Sequence, residues 1–465
     1  MSAAFLRQAQ ALLGPYCLTD SAAQAPYLQE WRQRRQGRAL AVCLPADSAQ
    51  CAALVRLCAQ YRIPIVPQGG NTGLVFGGIP DASASAIVIS TKRMQALRAL
   101  DAQNNTICVE AGMTLQAVQQ AAQQAGRLFP LSLASEGSCS IGGNLATNAG
   151  GTAVLRYGNA RELCLGLEVV LADGQIWHGL HGLRKDNTGY DLRNLMIGSE
   201  GTLGIITAAV LKLFPRPKAE LCCLAALPSA QAALDLLQQA QALCGPHLSG
   251  FELISGYCMR LVAQYMPELP APLPSFEAAY YVLMEISSHQ DEGHALDLLQ
   301  ALYQAADLQQ AVLAQNQRQA QQLWHWREAI SGAQARAGKN IKHDIALPIS
   351  AIPQFIASTD SALQAAFPGC RLVCFGHMGD GNLHFNVAPP AGIAAEDFLL
   401  QQTSINRIVH DAVAAHDGSI SAEHGIGELK REELQRYKSE TALQMMRSIK
   451  QALDPLHIMN PGKLL

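Results

Sequence analysis

Charge is scarce in this sequence, and neither sign dominates. Only 15% of the 465 residues are charged and the net charge is −3, so the basic footprint of a nucleic-acid binder is missing. No apolar run approaches the roughly 20 residues needed to span a bilayer, and no transmembrane helix is expected. The opening Met1-Ser2-Ala3-Ala4-Phe5-Leu6-Arg7-Gln8 lacks a charged region leading into a long apolar core. No signal peptide is expected, and the chain reads as cytoplasmic. Cysteine occurs 13 times but never with paired Cys-x-x-Cys spacing. That argues against an iron–sulfur module and for buried thiols rather than disulfides. The G-x-G-x-x-G fingerprint is absent, as is a Walker lysine behind a Gly-rich loop, so neither a Rossmann-type NAD site nor a P-loop is expected. No fixed-period repeat is visible.

What is present is apolar residue in quantity, 49% of the chain. A chain of this length and composition folds, and more than one domain is expected. Residues 1–38 read as a helical lead-in. Asp47 then caps an amphipathic helix running through Tyr61. It feeds the short strand Ile63-Pro64-Ile65-Val66-Pro67, which delivers its end into Gln68-Gly69-Gly70-Asn71-Thr72-Gly73. Such a loop is either an ordinary turn or a backbone cradle for phosphate. Ala86–Ser90 and Thr106–Glu110 read as further strands, and Thr114 caps a Gln/Ala-rich helix ending at Gly126. A second Gly-rich stretch, Glu136 to Gly151, carries small and polar residues that let a flat, polar ligand approach the backbone. Two such loops together favour a nucleotide or flavin. Leu165–Leu171 and Gln175–Trp177 form a hairpin pattern around Asp173-Gly174. Beyond Phe214-Pro215-Arg216-Pro217 the texture changes to long Gln/Ala/Leu helices with single strands between them, which places a domain boundary near Pro217.

The chemistry concentrates late in the chain. Arg371–Phe375 and Leu383–Val387 flank Gly379-Asp380-Gly381, the pattern of a β-hairpin. The hairpin brings His377 and His384 side by side, with Asn386 facing the same way as His384. Glu423-His424, in Ser-Ala-Glu-His-Gly-Ile-Gly, offers a third ligand and a base. A lone strand histidine is usually structural. Two on one hairpin, with a Glu-His pair in a Gly-bounded loop, fit three N/O ligands of a catalytic zinc site, although spacing alone leaves Mn²⁺ and Fe²⁺ open. Upstream, Arg327 and Ser331 lie one turn apart on one helix face. The stretch Lys339–Ala346 reads as a strand with Lys342 on one side and His343 on the other.

The two Gly-rich loops, Lys185 to Thr207, the His-His hairpin, Ser421–Gly427 and Asn460-Pro461-Gly462-Lys463 together resemble the vanillyl-alcohol-oxidase-type (PCMH-type) flavoproteins. Within them the chain is similar to the D-2-hydroxyacid dehydrogenases of the glycolate-oxidase-subunit-D-like branch, from about Ala39 onward. The resemblance implies an α+β fold in four parts. The lead-in 1–38 precedes a two-subdomain FAD-binding domain at 39–217. A substrate or cap domain at 218–420 is built on a mainly antiparallel sheet, and a C-terminal segment at 421–465 returns to complete both sites. Pro67, Gln68, Gly69, Gly70, Asn71, Thr72, Gly73 and Leu74 would wrap the FAD pyrophosphate. Gly137, Ser138, Gly142, Gly143, Asn144 and Thr147 would line the diphosphate and flavin, with Ile206 near the adenosine and Asn460 returning to the flavin. Several relatives attach FAD through a histidine where this chain has Asn71, so non-covalent FAD is expected. Phe76 is a departure, standing where relatives carry glycine.

In the substrate half the resemblance makes His377, His384 and Glu423 the metal ligands and His424 the catalytic base, also touching substrate. Arg327, Ser331 and Lys342 match positions that hold substrate carboxylates, with serine at 331 where threonine is usual. Asn386 matches a polar contact. The implied reaction oxidises a D-2-hydroxyacid to the 2-oxoacid. A second cation favours the dicarboxylate D-2-hydroxyglutarate, with D-lactate or glycolate as the alternative. The implied electron acceptor is electron-transfer flavoprotein, a quinone or a cytochrome, and the implied assembly a homodimer. Two rival readings are a zinc hydrolase and a non-catalytic FAD-binding subunit.

Overall fold

β-Branched residues too few for a helix build the first sheet. In the computed structural model, which describes residues 2–465, Ile65–Gln68 and Ile87–Ser90 run parallel, and Ala41–Cys43 lies parallel on the far side of Ile87–Ser90. Cys17–Leu18 closes the edge, antiparallel to Ala41–Cys43. The helix Ser48–Tyr61 packs beneath, burying Cys51, Leu54, Val55 and Cys58 at helical spacing. Its cap is Asp47, which accepts the Gln50 N–H at 2.8 Å, a contact of about 1 kcal/mol. The N-terminal stretch is more than a helical lead-in. Helix Ser2–Leu13 puts Phe5, Ala9 and Leu13 into this core, and Cys17–Leu18 is a strand of the sheet. Two apolar residues before a turn carry no periodicity, so the strand is invisible until its partner is known.

A second, antiparallel sheet orders Leu97–Asp101, Thr106–Glu110, Ile205–Lys212, Cys164–Val170 and Ile176–Gly179. The two sheets belong to one unit comprising Met1–Gly150, Gly158–Pro215 and His424–Leu465. The returning segment extends the first sheet. Ile65 N–H donates to Ile458 O at 2.7 Å, and Asn460 N–H to Ile65 O at 2.8 Å.

The other unit comprises Gly151–Tyr157 and Arg216–Glu423. Its seven strands are antiparallel throughout, ordered Ala311–Leu313, Ala219–Leu227, Tyr280–Ser288, Leu248–Ser255, Arg371–His377, Asn382–Ala388 and Asp344–Ala346. The strand expected over Lys339–Ala346 is regular only from Asp344, with a single bridge at Ile341. Helix Gln317–Ala337, capped by Asn316, lays a stripe of Leu323, Trp326, Ile330 and Ala333 on the sheet. Two polar residues interrupt that stripe, Arg327 and Gln334, and both are buried. Among the described residues no helix is long and apolar enough to cross a membrane, and all 13 cysteines are free.

Candidate active site

The first unit carries a cleft walled by glycine. The strand Ile65–Gln68 hands its end to the loop 69–73. Opposite stands Ile141–Ala146, a short helix rather than a loop, capped by Ser140. The two approach so closely that a Cβ on Gly70 would lie 2.0 Å from Ser138 O, and one on Gly69 2.3 Å from Ser140 Oγ. At Gly70 the obstacle is backbone and admits no side chain, and at Gly69 it is the Ser140 hydroxyl that caps the helix. Pro67, Gln68, Gly69, Gly70, Asn71, Thr72 and Gly73 line the cleft, as do Gly142, Gly143, Asn144, Thr147 and Ile206. His424 also reaches it. Exposed backbone N–H groups at a glycine turn facing a helix N-terminus suit a diphosphate.

Four expected residues take other places. Leu74 turns its carbonyl to Arg34 Nη2 at 2.9 Å. Gly137 and Ser138 belong to the turn behind the helix, where Ser138 N–H donates to Ser135 O at 2.8 Å. Asn460 does not line the cleft but braces its wall, donating through Nδ2 to Gly77 O at 3.1 Å and to Glu200 O at 2.7 Å. Asn71 is left-handed at φ 55° and donates to Gln29 O at 3.0 Å. Phe76 is left-handed too, at φ 63°, which is the conformation that favours glycine at this position.

Sequence reasoning gave no role to Glu200. It is buried in the cleft wall and accepts the N–H of Ile426 at 2.8 Å and of Gly427 at 2.7 Å, fixing the loop that carries His424. Burial raises its carboxyl above the ordinary glutamate range, opposed by those two N–H bonds. A single Glu within Gly-Ser-Glu-Gly was the available signal.

A separate cluster in the other unit grows from the hairpin Arg371–His377 and Asn382–Ala388. Gly381, at φ 89°, makes the turn. His384 is paired with Phe375, so His377 is its diagonal neighbour, with ring centroids 6.1 Å apart. One ligand atom each from His377, His384 and Glu423 lies within 4.8 Å of the others. His377 Nε2 faces Glu423 Oε1 at 3.5 Å, while its Nδ1–H donates to Glu252 Oε1 at 2.5 Å. Burial holds the His384 imidazole down to about 4, so it is neutral at pH 7 and able to ligate. Burial also opposes charge on His377, but Glu252 and Glu423 overcome it and raise the imidazole to about 10. This cluster therefore favours positive charge between its carboxylates. With two imidazoles and a carboxylate as donors, it fits a divalent ion of the zinc, manganese or iron type.

Glu252, fully buried, is the residue that sequence reasoning missed here. Its other oxygen accepts Arg327 Nε at 2.7 Å. Burial would raise its carboxyl, but His377 and Arg327 hold it down at about 2. The guanidinium stacks over Phe375, 4.8 Å from the ring centroid. Among the described residues neither Nη of Arg327 has a hydrogen-bond partner, so both remain for a ligand carboxylate. Ser331 follows one turn later and is exposed. Gln334, another unforeseen residue, collects three donors on Oε1: Asn386 Nδ2 at 2.9 Å, Asn340 Nδ2 at 3.0 Å and Lys342 Nζ at 3.5 Å. Asn386, expected as a polar contact, is tied into this network. Its Oδ1 also accepts His343 N–H at 3.1 Å, and it is only 3% exposed. Its amide braces Gln334 and His343 and keeps a second N–H on Nδ2.

Glu423 closes one unit and His424, the next residue, opens the returning segment of the other.

Comparison with known proteins sets this geometry in a family. Residues 216–464 match the FAD linked oxidases, C-terminal domain, and residues 39–179 match the FAD binding domain. The chain is 38% identical to D-2-hydroxyglutarate dehydrogenase of Xanthomonas citri pv. viticola over 450 residues, covering 96% of this chain and 93% of that protein. It is 36% identical to the mitochondrial D-2-hydroxyglutarate dehydrogenase of Bos taurus over 452 residues, covering 96% and 81%. Among solved structures, p-cresol methylhydroxylase with substrate bound superposes with a TM-score of 0.77 at 16% identity, covering 99% of this chain and 96% of that one. An alkyldihydroxyacetonephosphate synthase superposes at 0.75, also at 16% identity, covering 99% and 84%. The structural matches establish the shared PCMH-type fold. With both family models and the near full-length relatives in agreement, this chain belongs to the FAD-linked oxidases, in the branch that contains the D-2-hydroxyglutarate dehydrogenases.

Proposed function

We propose that this protein oxidises a D-2-hydroxyacid, preferentially D-2-hydroxyglutarate, to the 2-oxoacid, using non-covalent FAD and a divalent metal ion. The observation that carries the reading is the His377, His384 and Glu423 donor set, placed one residue before a histidine that reaches the glycine-walled cleft. When bound, FAD supplies the hydride acceptor and the ion supplies Lewis acidity toward an α-hydroxyl. The protein does the rest. Arg327 offers both Nη groups to one substrate carboxylate, bidentately, and Phe375 keeps the guanidinium flat. Lys342 meets the distal carboxylate as a point charge. His424 takes the hydroxyl proton as general base. The glycines at 69 and 70 let the backbone itself hold the cofactor. Gln68 through Gly73 would hold the diphosphate together with Gly142, Gly143, Asn144 and Thr147, and Ile206 would sit toward the adenosine.

Asn71 gives no nucleophile for a covalent flavin link, which supports non-covalent FAD. Thirteen free cysteines, nearly all buried, support a reducing compartment such as the cytoplasm. Electrons leave the reduced flavin to electron-transfer flavoprotein, a quinone or a cytochrome.

The test is anaerobic reduction of the flavin, followed at its visible band. D-2-hydroxyglutarate should bleach it faster than D-lactate does, and a chelator should abolish the bleaching. Lys342→Ala should remove a charge-assisted contact of about 1.5–3 kcal/mol, lowering kcat/KM for D-2-hydroxyglutarate roughly 10- to 150-fold. D-lactate turnover should stay within about threefold. Equal losses on both substrates would remove the case for a dicarboxylate, and an unreactive flavin across a panel of D-2-hydroxyacids would end the reading.

A further inference from the structure

The strand Leu248–Ser255 is buried along nearly its whole length and apolar except for serines and one charge, Glu252. An ionised carboxylate in such a strand is costly unless both oxygens are engaged. Both are, and by residues of different elements. Oε1 takes His377 Nδ1–H at 2.5 Å from the hairpin, and Oε2 takes Arg327 Nε at 2.7 Å from the long helix. In each case the bond to Glu252 leaves the functional atoms turned outward. His377 is left with Nε2 directed at Glu423. Arg327 is left with its two Nη groups.

We infer that Glu252 is a positioning residue that ties the cation site to the anion site, setting the tautomer and direction of His377 and the direction of the Arg327 fork with one carboxylate. The inference rests on the functional reading above, which supplies the cation and the anion. A carboxylate behind a metal-binding imidazole orients it and raises its basicity. Here the same carboxylate also fixes the arginine, so its replacement must damage two binding events that share no ligand. An amide cannot serve both partners. In Glu252→Gln the amide oxygen can accept from His377 or from Arg327, and the NH₂ is left facing the other donor.

A neighbouring residue provides the control. Glu285 also anchors the long helix to the sheet, accepting Trp324 Nε1 at 2.9 Å, and it touches neither His377 nor Arg327. Glu285→Gln loosens the same helix without touching either functional atom.

The experiment uses the full FAD-loaded protein. Zn²⁺ affinity is measured by competition with a chromogenic chelator. Anion affinity is measured separately on the metal-stripped holoprotein, by titrating 2-oxoglutarate against the flavin spectrum. For Glu252→Gln the expected result is a loss of Zn²⁺ affinity of about 10- to 100-fold, together with a loss of 2-oxoglutarate affinity of at least about fivefold. Glu285→Gln should stay within about twofold on both. Glu252→Asp, which keeps the charge but cannot reach both partners, should lose one affinity more than the other, and it stands in if the glutamine variant fails to fold. Native affinity for either ligand in Glu252→Gln overturns the inference. Equal losses in Glu285→Gln also overturn it, by reducing Glu252 to a structural anchor. A wild-type protein that binds no Zn²⁺ fails at the first titration, and that result refutes the metal assignment itself.

Discussion

Replacing Asp454 with asparagine tests how the cleft is held together. Asp454 is fully buried. Its Oδ1 accepts Ile458 N–H at 3.0 Å, and its Oδ2 accepts both Met459 N–H at 2.8 Å and Lys450 Nζ at 2.5 Å. In Asp454→Asn the remaining oxygen, at the Oδ2 position, keeps Met459 N–H and a neutral contact to Lys450, while the NH₂ is turned toward Ile458 N–H. One buried N–H loses its partner, at about 1–3 kcal/mol. Lys450 loses its counter-ion, and breaking a buried pair costs about 3–5 kcal/mol. Lys450 is 13% exposed and keeps Thr202 O and Met459 O as acceptors, so the lower end applies and the sum is about 4 kcal/mol. That sum shifts the local opening equilibrium of residues 458–460 by a factor on the order of 10³. Hydrogen exchange followed by mass spectrometry reads it directly. Peptides covering 64–68 and 456–463 should exchange on the order of 10³ faster, while a peptide covering 280–288 stays unchanged. FAD affinity should fall as well, because Asn460 braces Gly77 and Glu200 from this segment. Exchange within threefold of the native rate in both peptides would refute the reasoning.

Three further outcomes follow from the same structure. Gln334→Leu strands the buried Asn386 Nδ2, an effect of about 1–3 kcal/mol, and should raise KM for D-2-hydroxyglutarate roughly 5- to 100-fold while changing kcat less than threefold in steady-state assays. Acid precipitation should release all flavin to the supernatant and leave a colourless pellet; flavin retained on the protein would show a covalent link that Asn71 cannot make. Glu168 is buried, which opposes its ionisation, but Arg98, Ser48 and Thr207 hold its carboxyl below the ordinary value of 4.5. Its contribution to stability is therefore present above pH 4.5 and lost as pH falls through the lowered value. The flavin-release temperature of Glu168→Gln should accordingly fall less than that of the native protein between pH 5 and pH 3.

Local chemistry was legible in the sequence because it is written in consecutive residues. Asp47 and Thr114 cap helices where a side-chain acceptor precedes an apolar period. Gly70 marks a backbone contact that no side chain allows. The His377 and His384 pair follows from a hairpin whose turn is spelled out between its strands. Long-range partnership was not legible. Cys17–Leu18 becomes a strand only because Ala41–Cys43 lies beside it. Glu252 and Gln334 are unremarkable letters until the sheet and the helix meet, although each is a polar residue in a run the fold buries. Asn386 and Asn460 were assigned to contacts with ligands, and the bonds they also make to neighbouring protein groups could not be foreseen. A residue's type says what it can bond, and only packing says which bond is already made.

The pairing of Ile458–Asn460 with Ile65 sets an order of events in synthesis. The strand that delivers the glycine loop emerges early from the ribosome, yet its edge stays open until residues beyond Asp454 have emerged. Until then Ile65 has an unpaired N–H and carbonyl, the wall at Gly77 and Glu200 has no brace, and His424 has not been made. Cofactor capture is therefore a late event in the life of each chain. For most of its synthesis the nascent protein carries an unsatisfied strand edge beside an incomplete cleft, and that edge is where premature association between chains would begin.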